Sequence, residues 1–139
     1  MSDIDKSSWP PGPWHSEPDL VEFESAGLQC LILRHPDMGH LCGYVAIPSG
    51  HPWFGVVDSD DYGIEQLPEC HGGVTYSRQR HPDTGEASAS WWVGFDASHY
   101  RDTSPTLGEL GGKESSYRTV EYMRLNCELL AQAARMAGA

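Results

Sequence analysis

A chain of 139 residues, 39% of them hydrophobic, holds enough apolar material for one core and one domain. Its formal charge of −11 repels nucleic-acid phosphates and anionic lipid, which argues against direct duplex binding. No apolar run approaches the ~20 residues that span a bilayer, and the N-terminus lacks a basic-then-apolar leader, so the expectation is a cytoplasmic protein with no membrane partner.

The charge is uneven. Residues 1–70 carry twelve acids against Lys6 and Arg34, whereas residues 71–139 carry eight acids against seven bases. An anionic ligand would find its cationic partners in the second half, and the acidic first half could meet a basic protein surface. Cys30, Cys42, Cys70 and Cys127 are scattered without CxxC spacing and are read as reduced.

Residues 1–18 contain four prolines with Trp9 and Trp14, which predicts an extended arm. Its tryptophans are costly to leave in water, so the arm should pack on the domain or on a second subunit. Residues 19–139 read as a single α+β domain. Leu20 to Glu24 alternates apolar and acidic residues, Ser25-Ala26-Gly27 is a turn, and Leu28 to Leu33 fits a buried strand. His35 to Gly39 makes a second turn, and His40 to Ile47 a third strand. Consecutive strands of this kind should be antiparallel neighbours. Gly43 inside the third strand suggests a bulge or a close approach.

Residues 48–70 are irregular, with Trp53, Phe54, Val56 and Val57 available to pin them to the core. Asp58, Asp60, Gly63 and Glu69 copy part of an EF-hand spacing. However, Tyr62 stands where an oxygen ligand is needed and Pro68 precedes the glutamate, so a solvated acidic loop is the better reading.

Two further strands, Gly72 to Ser77 and Ala89 to Phe95, flank a polar loop rich in turn formers. Laid antiparallel, Tyr76 falls opposite Trp91 and Val74 opposite Val93, giving an apolar face. The other face then pairs Thr75 with Trp92, Gly73 with Gly94 and His71 with Asp96, and His99 can join where the strand ends. A loop follows from Tyr100 to Lys113. The one clear helix should run from about Ser116 to Ala137, capped by Ser115 or Ser116 and ended by Gly138. Val120, Met123, Cys127, Leu130 and Ala134 give its sheet-facing stripe, which Tyr122, Leu125 and Leu129 widen to one flank.

Several chemistries can be set against this pattern. His40, Cys42, Cys70 and His71 are suitable zinc ligands, but adjacent strand residues point to opposite faces. His71, Asp96, His99 and Asp102 could converge more easily on a metal, or the His–Asp pair could orient a general base for hydrolysis. A structural network is the competing reading, and no metal or cofactor is assigned. Nothing resembles a nucleophile elbow or a phosphate-binding glycine loop.

Four blocks, at residues 39–55 (GHLCGYVAIPSGHPWFG), 71–77 (HGGVTYS), 91–99 (WWVGFDASH) and 117–131 (YRTVEYMRLNCELLA), resemble a family of small bacterial and bacteriophage proteins. That family has no established activity to carry over; a phage setting implies an anti-defence role by association. Its members place Cys-Ala after the aspartate and Gly-Asp after the histidine. This chain has Ala97-Ser98 and Tyr100-Arg101-Asp102 there, which argues against a nucleophilic cysteine at position 97.

The expectation is therefore an α+β fold: a mainly antiparallel sheet of about five strands, with the C-terminal helix packed on one face. Function is placed on the glycine-bearing face of the hairpin, as a site for a small nucleotide-like ligand. There Trp92 would be the stacking platform, Gly73 and Gly94 the gap, and Thr75 a polar contact, with His71, Asp96 and His99 as the catalytic candidates if a bond is hydrolysed. The alternative is an acidic interaction protein that occupies a basic surface of a partner. A homo-oligomer through the arm or the C-terminal helix is compatible with either.

Overall fold

The computed structural model describes residues 4–55, 74–98, 102–109 and 115–138. Five strands, β1 (Leu20–Ser25), β2 (Leu28–Arg34), β3 (Leu41–Ile47), β4 (Tyr76–Arg80) and β5 (Ala87–Asp96), form one sheet in the order β1-β2-β3-β5-β4. Every pairing is antiparallel. A small ribbon of β6 (Thr103–Ser104) and β7 (Gly108–Glu109) precedes the helix α1 (Val120–Ala137), which packs on β1, β2 and β3. The architecture is α+β.

The first three strands follow from their sequence. Ala26 and Gly27 both take positive φ, 52° and 78°, so the β1–β2 connection is a two-residue turn of the kind whose twist matches paired strands. β2 and β3 are buried along most of their length because apolar side chains leave both faces of the sheet. On the helix side lie Cys30, Ile32, Val45, Ile47, Val93 and Phe95, under Met123, Cys127, Leu130 and Ala134 of α1. On the other side Leu31, Leu33, Ala46 and Trp92 cluster with Leu20, Tyr44 and Tyr76. Gly43 is the close approach rather than a bulge: a Cβ there would come within 2.7 Å of both Cys127 Sγ and the Phe95 ring.

The helix starts later than its serines suggest. Ser116 is bridged to Asp102, and Arg118 donates to Asp102 Oδ1 at 2.8 Å, so residues 115–118 are held outside the helix. Thr119 is the cap, its hydroxyl accepting from the Tyr122 amide at 3.1 Å. Glu17 of the arm adds a second cap, with Oε2 accepting from the Val120 amide at 2.8 Å. At the other end His51 Nδ1 accepts from the Trp53 amide, so its Nε2 carries the proton and donates to the Ala134 carbonyl.

Residues 4–18 lie against the domain, with one turn of 3-10 helix at Pro13–His15 and Trp14 buried edge-on to Tyr117. What fastens them is Arg34, at the end of β2 and 3% exposed. Its guanidinium donates to Asp19 Oδ1 at 2.7 Å, to the Gly39 carbonyl and Tyr117 hydroxyl at 2.8 Å each, and to Glu17 Oε1 at 3.4 Å. Lys6 reaches the same Asp19 oxygen at 2.6 Å. One buried cation thus ties together the arm, the sheet and the entry to the helix.

This network sets an acid limit. Burial works against the Asp19 charge, but the bonds from Lys6 and Arg34 outweigh it and hold its pKa below the ordinary value. A depressed carboxyl pKa stabilises the fold above the unfolded-state value and loses that contribution as pH falls through the folded one. Stability should therefore drop as pH falls below about 4, and Asp19→Asn should flatten that slope in a series of melts. An unchanged slope in the variant would remove Asp19 from the acid response.

Candidate functional site

The β4–β5 hairpin carries the candidate site, and its register differs from the alternation argument. Near the turn, Arg80 faces Ala87, in line with that argument. Beyond it the ladder shifts, so that Arg78 faces Trp92, Ser77 faces Val93 and Tyr76 faces Gly94. The extra length lies on β5 at residues 88–90. There Ser88 Oγ accepts from the Ser90 amide and from Trp92 Nε1, a local bonding pattern that competes with the ladder and makes an irregularity. The net shift is odd, so it exchanges faces. Tyr76 lies on the Trp92 side rather than with Val74, which stays in the helix-side core.

Three consequences correct the expected site. Trp92 is not a platform: it is 2% exposed among Leu31, Leu33 and Ala46, with its ring edge against His81. Gly94 is not a gap, because the Tyr44 ring already fills it; a Cβ there would lie 2.3 Å from Tyr44 Cδ1. Asp102, the further ligand candidate, is fully buried with its Oδ1 accepting from Arg118. His71, Gly73 and His99 lie outside the described residues, as do Cys70 and the acidic run from Asp58 to Glu69.

The structure does bring Thr75 and Asp96 together. The Thr75 hydroxyl donates to Asp96 Oδ2 at 3.0 Å, and Asp96 Oδ1 accepts from the Ser98 amide at 3.1 Å. Across the sheet Asp96 faces Cys42, whose thiol is pushed up to about 12 by burial and then by the aspartate's charge. Burial likewise lifts Cys30 to about 11 and raises Tyr44 above the ordinary phenol range. None of these groups is an ionised nucleophile at neutral pH. Among the described residues no three His, Cys, Asp or Glu side chains converge to hold a metal.

Beside this pair, along the sheet's β4 edge, runs an open groove of about 690 Å³ lined by Thr75, Ser77, Arg78, Arg80 and Trp91 among others. Trp91 is half-buried, propped against Phe54 at 5.7 Å, and donates its indole N–H to Ser77 Oγ at 2.8 Å. The ring is therefore fixed without its faces being wholly spent. Arg78 lies over the Tyr76 ring at 5.6 Å, and Arg80 donates one bond to the Gly85 carbonyl. Among the described residues neither arginine is in an ion pair. Arg78, Arg80, Ser77 and Trp91 are the residues that sequence reasoning passed over. Their signal was two arginines in one short strand of a strongly acidic chain.

No known protein family, curated protein or solved structure matches this chain.

Proposed function

We propose that the protein binds a small anionic ligand bearing an aromatic ring, nucleotide-like in chemistry, in the groove along β4 and β5. The observation that carries this reading is one groove at the β4 edge bordered by a fixed, half-open Trp91 and by Arg78 and Arg80, with Arg78 coming to that edge from the Tyr76 side of the sheet. Exposed guanidiniums fit phosphate or carboxylate oxygens, and an indole face takes a ring by stacking. Thr75 and Ser77 add hydroxyls on the groove wall. The described residues supply binding groups, so the reading is of capture rather than turnover. Sequestering a nucleotide-like signal is also what an anti-defence factor would do.

Fluorescence titration with nucleoside mono- and diphosphates tests this, with nucleosides and inorganic phosphate as separate arms. Nucleotides should saturate, and Arg78→Ala or Arg80→Ala should each cost about 1.5–3 kcal/mol of binding, ten-fold or more. Absence of saturation in every arm, or affinity indifferent to both substitutions, would overturn the proposal. Exposed Glu22 and Glu24 on the edge strand β1 support the competing reading, an acidic surface for a basic partner. Partner binding that weakens steeply with salt yet survives loss of both arginines would favour it.

A further inference from the structure

The outer face of α1 carries apolar side chains that the fold does not use. Leu125 is 55% exposed, Leu129 59% and Met136 72%, although the helix's opposite face is buried against the sheet. Leu125, Leu129, Gln132 and Met136 follow one another at steps of four, three and four, the spacing of a helix–helix seam. Scattered exposed leucines need no explanation, but a row at this period marks a surface that meets another helix.

The charges beside the seam say which helix. Glu121, Arg124, Glu128 and Arg135 all lie on one flank, whereas the other flank holds the uncharged Asn126 and Ala133. A parallel pair of copies would set the charged flank against the uncharged one. An antiparallel pair, crossing between residues 130 and 131, sets charged flank against charged flank. Leu125 then meets the second copy's Met136, Leu129 its Gln132, and Glu128 its Arg135, twice by symmetry. Among the described residues of one copy, Glu128's one ion pair is a long 3.8 Å contact to Arg124, with both side chains about half exposed, so it is open to a second partner.

We propose that two copies of this chain associate antiparallel through the outer face of α1. The helix has 18 residues, about 27 Å of length, which is a small interface. The dimer should accordingly be weak, forming in the micromolar to submillimolar range.

Sedimentation velocity across that concentration range, with far-UV circular dichroism to confirm folding, tests the arrangement. The full chain should pass from monomer to dimer, and Leu125→Glu with Leu129→Glu should keep it monomeric and folded. Glu128→Arg should weaken the dimer ~ten-fold, and adding Arg135→Glu should restore it, because the charge pair is re-formed in reverse. A monomer at every concentration would overturn the proposal. So would a dimer indifferent to the leucine substitutions, or a double charge swap no better than the single one.

Discussion

Arg34→Met is expected to destabilise the protein by roughly 3–5 kcal/mol, the cost of removing one partner from a buried charge network. The side chain has no exposed surface, and among the described residues it is the only guanidinium that reaches Asp19 and Glu17. Methionine keeps the bulk but leaves Asp19 with Lys6 as its one cation and Glu17 with only the Tyr117 hydroxyl and the Val120 amide among the described residues. It also frees the Gly39 carbonyl and the Tyr117 hydroxyl, which lose their donor. Because Glu17 caps α1 and Asp19 opens β1, the loss is felt at both ends of the fold. For a domain stable by about 5–15 kcal/mol, that is a large share. Tyr117→Phe removes one hydroxyl and should cost about 1 kcal/mol. Denaturant melts giving an Arg34→Met loss under ~1 kcal/mol would mean the network does not hold the arm.

Trp92→Ala is the second large effect, at roughly 3–5 kcal/mol. The indole is packed under Leu31, Leu33 and Ala46, touches His81 and bonds Ser88 Oγ at 3.2 Å. Truncation leaves a cavity in the second core and removes the acceptor's partner in the bulge. Trp91→Ala, one residue away but half-buried, should destabilise less and reduce ligand affinity instead. The neighbouring tryptophans thus separate packing from binding. A Trp92→Ala melt within ~1 kcal/mol of the parent would show that the second face is not interior.

Much of the fold was legible because its signals are periodic. Alternation in Leu20 to Glu24, the apolar run Leu28 to Leu33 and the turn at Ala26-Gly27 placed β1 to β3 to within a residue or two. The three- and four-residue spacing of Met123, Cys127, Leu130 and Ala134 placed the buried face of α1. The site was less legible, since the hairpin's register depends on a bulge that hydropathy does not encode. Ser88 is one of several serines in that stretch, and only its hydrogen bonds make it the cause. Arg34 was invisible for a different reason. A lone arginine at a strand end has no period, and its value comes from Glu17, Asp19 and Tyr117, which lie 17, 15 and 83 residues away from it in sequence. The helix start moved for the same reason: Ser116 and Thr119 can both cap, and the bridge to Asp102 decides between them.

The proposed groove is tested most directly by amide and indole chemical shifts recorded during titration with a nucleoside diphosphate. The shifts should concentrate on Thr75, Ser77, Arg78, Arg80 and the Trp91 indole, while the Trp92 indole stays in place. Shifts that spare the β4 edge, or that centre on the Trp92 indole with Leu31, Leu33 and Ala46, would contradict a binding groove at this edge of the hairpin.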